Sequence, residues 1–390
     1  MRAGDSCKDA RTMHAFELVA GLVVVVSTFV SMTATFVVPR RACWAMRLAF
    51  MVNRGVRSAG VRLASLFGSV RAKDTVLATI APLALLGQLA SFLALFLLGY
   101  WVALTASAGS FASAARLASS QLFTAGIAAR SGPGNSGIEV LAAITGGVAI
   151  ALQIGCLPVI YDAFNRRESL VTLMESRAGL PALGPEVFVR HQLVASFDAL
   201  PDLYRDWEKW SADLAESHVS YPIRLLFGSP AIGYSSLLAQ LAVLDAAALH
   251  LSLMPSSAPT EARFCLRMGF TALRRIAGLL GREYDPDPLP DSEIQLGYEE
   301  FAQAVALISE VGVVLERTAE QAWPHFKGWR VDYDSLAYRL ADEVVAPLAP
   351  WSGERSHVAL ALEMPKRPAH RSPGGKVVEE DRLRTRRSGE

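Results

Sequence analysis

Four cysteines in 390 residues are few, and Cys7, Cys43, Cys156 and Cys265 form no CxxC pair and no regular spacing. A disulfide scaffold is not expected, and they read as free, buried thiols in a reducing compartment. The seven histidines, His14, His191, His218, His250, His325, His357 and His370, never stand three or four residues from another histidine or a cysteine. That removes the common zinc patterns, so no metal site is expected. Neither GxxxxGK[ST] nor GxSxG occurs, and nothing argues for an enzyme: no catalytic residue and no cofactor is expected. Charge is scarce too, at 19% Asp, Glu, Lys and Arg, against about 25% in soluble domains.

What the chain has instead is apolar residues, 52% of the total, with a mean hydropathy of +0.29. They concentrate before residue 164. Residues 1–163 carry 13 Lys/Arg against 6 Asp/Glu, whereas 164–390 carry 25 against 31. The net charge of +1 therefore hides a basic, apolar half and an acidic, more ordinary one. A basic footprint for nucleic acid belongs on a soluble face, and none is expected here.

Three charge-free runs are long enough for a bilayer. Leu18 to Val38 is 21 residues, about 32 Å as helix against a hydrocarbon core of about 30 Å. Asp5, Asp9 and Glu17 before it, and its length, distinguish it from a signal peptide. Between Asp74 and Arg116 lie 41 uncharged residues, of which Leu77 to Leu104 is expected to span. Val140 to Tyr161 gives a third run, entered through the turn signal SGPGNSG. The loop between the first two runs holds Arg40, Arg41, Arg47, Arg54, Arg57, Arg62, Arg71 and Lys73 and no acid before Asp74. The positive-inside rule makes it cytoplasmic; its segment Trp44 to Phe67 also suits a helix lying on anionic headgroups. Alternation then sets the N-terminus and 105–138 outside and everything after Tyr161 inside.

The expected fold class is all-α: three transmembrane helices with a re-entrant hairpin, followed by an α-helical cytoplasmic domain. The expected divisions are an N-terminal segment and first span (1–38), a basic loop (39–74), a hairpin region (75–163), a cytoplasmic domain (164–364) and a disordered, charged tail (365–390). Within the domain, helices are expected from Pro201, from the Ser229-Pro230 cap, from Thr260 to Gly281, and over about 298–323 and 332–347. The apolar helix at 229–254 carries Asp245 and His250 and reads as a buried core helix, with a fourth span as the alternative.

Between the second and third runs stands a short Ser/Ala-rich segment, Phe111 to Phe123, then the strip Thr124-Ala125-Gly126-Ile127-Ala128. Non-helical backbone at membrane depth is tolerated only where protein buries it or it lines a watery cavity. A three-turn helix at 111–123, its carbonyl end favouring a cation, followed by an outgoing strip meets that condition. The layout resembles the pore-loop potassium-channel superfamily, in particular bacterial membrane proteins joining a channel-like hairpin to a helical cytoplasmic domain. Thr124 and Gly126 match the Thr and first Gly of that family's Thr-Val-Gly-Tyr-Gly filter. Ala125, Ile127 and Ala128 depart from it, and Arg130 stands where an acid is usual. Gly146-Gly147 falls where an inner-helix hinge is expected. Gln153 suits a pore lining or a bond to a neighbouring helix. The resemblance covers 77–181. It implies a homotetramer in a bacterial inner (plasma) membrane, passing a monovalent cation under control of the cytoplasmic domain. The alternative is a membrane-anchored scaffold or sensor that does not conduct.

Overall fold

Long apolar runs satisfy their backbone polar groups away from water by coiling into helix, and in the computed structural model 78% of the described residues are helical and none is in a strand. Those residues are 2–36, 47–68, 72, 75–76, 79–108, 110–123, 136–220, 235–344, 346–354 and 364–367. The chain divides into two compact units, the first built mainly from residues up to 165 and the second mainly from 166 onward.

In the first unit the helices are α1 (Arg2–Phe36), α2 (Arg47–Ser65), α3 (Ile80–Ala108), α4 (Phe111–Leu122) and α5 (Ser136–Ala178), which continues into the second unit. Met13–Phe36 of α1, Pro82–Thr105 of α3 and Gly137–Ala178 of α5 are long and apolar enough to cross a membrane. α1 packs along α3 where small residues let the backbones meet. A Cβ on Gly21 would lie 2.5 Å from the Gly99 carbonyl oxygen and 2.8 Å from the Ala103 Cβ. Gly99 and Ala103, four apart, form the small-residue face that membrane helices use for close contact. The opposite face of α1 leaves Phe16, Val19, Val23, Val26 and Val30 uncovered, an apolar stripe suited to hydrocarbon. Inside, Phe36, Phe92, Phe96, Tyr100 and Leu104 join one core cluster with residues of α4 and α5. α2 lays Val52 and Val56 toward Gly87 of α3 and keeps Arg54 and Arg62 exposed.

The second unit centres on α8 (Ser236–Leu253). Every residue from Leu237 to Leu253 is buried, and α6 (Gly184–Leu193), α9 (Thr260–Leu279), α11 (Ala319–Arg330) and α12 (Asp334–Glu343) pack around it. α7 (Leu200–Ser220) and α10 (Tyr298–Glu310) complete the unit's helices among the described residues. By length and hydropathy α8 is a fourth candidate span, but 94% of it lies inside protein. A helix that is apolar all round is a buried one.

The described residues bear on three expectations in detail. α8 is capped by Ser235, whose hydroxyl accepts from the Leu238 N–H at 3.4 Å; Ser229 and Pro230, where a cap was expected, lie outside the described residues. The single helix expected over 298–323 is two, because Gly312 turns with φ +85° and Thr318 opens α11 with a capping box. Of the tail expected from residue 365, Pro365–Arg367 are described and contact Gly179 and α6.

Candidate functional site

α4 is the element on which the candidate site depends. Ser110 caps it: its hydroxyl accepts from the Ser113 N–H at 3.2 Å, and Ser113 Oγ accepts from the Ser110 N–H at 3.2 Å. The Phe111 carbonyl accepts from Trp101 Nε1 at 3.0 Å, and the two rings meet edge to face, which fixes the start of α4 on α3. Ala114, Leu117, Ala118 and Leu122 are buried in the cluster that holds Tyr100, Leu104, Ala142 and Ala149. Arg116 is exposed.

The far end of α4 meets α5. A Cβ on Gly146 would sit 1.8 Å from the Leu122 carbonyl oxygen, so only glycine admits that carbonyl, whereas Gly147 has nothing within 4 Å. Both glycines lie inside the unbroken α5, and close helix packing is the role the contacts give Gly146. The strip Thr124 to Ala128 and Arg130, which carry the resemblance to a filter, lie outside the described residues.

Polar groups between α3 and α5 find one another. Tyr100 Oη and Thr145 Oγ1 are 2.7 Å apart and buried, and Thr145 Oγ1 also donates to the Leu141 carbonyl. Gln153 Nε2 donates to the Leu85 carbonyl at 3.0 Å, while its Oε1 is buried with no partner among the described residues. Of its two readings, the bond to a neighbouring helix is the one observed. The α1 hydroxyls of Thr28, Thr33 and Thr35 bond carbonyls one turn back, as they do in apolar surroundings.

The second unit holds a buried charge cluster that sequence reasoning did not single out. Arg330 is fully buried; it donates Nη1 to Asp245 Oδ1 at 2.6 Å, Nε to Asp334 Oδ1 at 2.8 Å, and Nη2 to the Tyr338 hydroxyl and the Trp351 carbonyl. Phe326, Tyr333, Tyr338 and Trp351 present their rings to the guanidinium at 5.5–6.0 Å. Burial works against the charge on Arg330, but Asp245 and the other partners outweigh it and hold its pKa above the ordinary value. Tyr333 Oη also donates to Asp245 at 2.9 Å, and burial drives that phenol well up. The cluster is saturated and clamps α8, α11 and α12 together; it offers no free nucleophile. His250, buried against Phe188, Phe197 and Tyr204, is an ordinary core residue. Among the described residues no three His, Cys, Asp or Glu gather to hold a metal.

No protein-family model matches the chain, and no curated protein or solved structure does either. What is established is an all-helical chain with several helices long and apolar enough to span a membrane.

Proposed function

We propose that the protein is a pore-loop membrane protein that passes a monovalent cation passively, as a homotetramer, with its second unit cytoplasmic and modulating the flow. The supporting observation is the seating of α4. This capped, twelve-residue helix starts beside Trp101, near the end of one apolar run, and ends at Gly146, six residues inside the next. Six residues are about 9 Å of helix, so on this reading the carbonyl end of α4 reaches into the membrane, where its partial negative charge favours a cation. Thr124 to Ala128 would follow as the filter strip, contributed once by each subunit, with Arg130 near its outer mouth. A bacterial inner membrane with the C-terminal unit inside follows from the same resemblance and from the basic loop at 39–74.

Ala128 in place of a filter glycine and Arg130 at the mouth favour a second reading, a membrane-anchored scaffold that does not conduct. Recording from the purified full chain in planar bilayers separates the two. Unitary cation currents that vanish in Gly126→Val are expected; electrically silent bilayers with correctly inserted protein would establish the scaffold instead.

A further inference from the structure

α5 ends at Ala178, and Gly179 follows in left-handed backbone at φ +83°, its N–H donating to the Glu175 carbonyl at 3.1 Å. A Cβ here would be strained by the backbone and would fall 2.7 Å from Pro365 Cβ and 2.9 Å from Arg190 Nη2. The corner between α5 and α6 is thus cut to fit a proline from far along the chain.

The polar contacts around that proline converge on one carboxylate. Glu186, 4% exposed, accepts from Arg190 Nε at 3.0 Å. It also accepts from Arg367, through Nε at 3.1 Å to each oxygen and through Nη2. Arg190 in turn donates Nη1 to the Glu175 carbonyl at 3.2 Å and Nη2 to the Lys366 carbonyl at 2.6 Å. The seat therefore reads three features of a strand: a proline against Gly179, a backbone carbonyl for Arg190, and a guanidinium for Glu186. Take the strand away, and Arg190 loses an acceptor while Glu186 loses a bidentate partner, the stronger kind of charged hydrogen bond.

The strand itself is held lightly. Met364 is 51% exposed, Lys366 is exposed, and the Arg367 side chain is about a quarter exposed at 25%. No large apolar side chain is inserted, so the attachment is mainly electrostatic. With Glu186 at 6% and Arg367 at 25% exposure in side-chain terms, the pair is screened by salt less than one between exposed charges.

We propose that residues 364–367 are a releasable latch: Gly179, Glu186 and Arg190 form a docking seat for a Pro-Lys-Arg segment, which the chain's own tail occupies. The latch fixes the root of the tail to the C-terminal end of α5, and this holds whether or not the protein conducts.

The test is cleavage of the Lys366–Arg367 bond by a lysine-specific endoproteinase acting on the full chain in detergent. Rates are normalised to free peptides of the same sequence. Cleavage of the native protein is expected to be at least tenfold slower than that of Arg367→Ala, with Arg367→Lys between them. Unaltered thermal melting of Arg367→Ala will separate release of the latch from unfolding. Glu186→Gln should reproduce the release from the other side. Equal normalised rates for native protein and Arg367→Ala would overturn the proposal. So would protection that grows with protein concentration, which would assign the strand to a second copy of the chain.

Discussion

Without Arg330, Asp245 and Asp334 would be left 1% and 4% exposed in side-chain terms, with no cation between them. Breaking a buried ion pair by removing one partner costs about 3–5 kcal/mol, more than the pair contributes over a well-packed apolar substitute. Arg330→Met is therefore expected to destabilise the second unit by about that amount in chemical denaturation of the full chain. Adding Asp245→Leu should recover part of the loss, and a double-mutant cycle reads the coupling. Cys265 makes a second residue-scale expectation. It is fully buried at 0% exposure, and burial pushes its thiol pKa far up, with the charge of Glu208 adding to it. Since the thiolate is the reactive form, Cys265 should resist maleimide in the folded protein and react fully in denaturant, a difference that mass spectrometry measures. Cys265 was expected as a free, buried thiol and is one, but the Arg330 cluster does not announce itself in the sequence. Asp245 and Arg330 are far apart along the chain, and Asp332 and Asp334 beside Arg330 resemble any solvated acidic turn. Only the packing of α8 against α11 and α12 turns them into a buried cluster.

At the scale of the helix, two adjacent glycines separate packing from propensity. A methyl at Gly146 collides with the Leu122 carbonyl, while one at Gly147 meets nothing. Gly147→Ala should therefore be neutral or stabilising by up to about 1 kcal/mol, the helix-propensity gain. Gly146→Ala must push α4 away from α5 and should lower the melting temperature in detergent; the pair is read by thermal unfolding of the two variants side by side. The helices were legible to different degrees for physical reasons. The apolar cores of α1, α3 and α5 follow from charge-free runs, since desolvating an unpaired charge is what ends such a run. α4 was legible within one residue, the expected Phe111–Phe123 against Phe111–Leu122. The cap at Ser235 was not, because Ser229 followed by Pro230 gives the stronger local signal; that pair lies outside the described residues. The break after α10 was missed because Gly312 reads locally as a tolerated helix glycine, and its positive φ becomes evident only in three dimensions. Of the candidate site, Gly146 was legible as a residue but not by its contact. The strip Thr124 to Ala128 lies outside the described residues.

For the molecule as a whole, the charge pattern makes a topological claim that labelling can test. With native cysteines replaced, Asn135→Cys should react with an impermeant maleimide in intact cells. Ser58→Cys and Val314→Cys, both at exposed positions, should react only after permeabilisation. The reverse pattern would defeat the positive-inside assignment and, with it, the direction of the proposed hairpin. If that topology holds, Arg130 becomes the decisive residue. On the proposed reading its positive charge stands at the outer mouth and opposes each arriving cation. The opposition is electrostatic, so it reaches further when salt is dilute, with a Debye length of about 30 Å at 0.01 M and about 10 Å at 0.1 M. Arg130→Asp should therefore raise unitary cation conductance, and the ratio of variant to native should grow as the bathing salt is diluted. Gly126→Val should abolish the current, because a β-branched side chain denies the backbone the conformations that glycine permits. A non-conducting scaffold gives no current in any of the three proteins, whatever the salt. Native current that persists in Gly126→Val with the same selectivity would remove Thr124 to Ala128 from the conduction path and leave α4 as a packing element between α3 and α5.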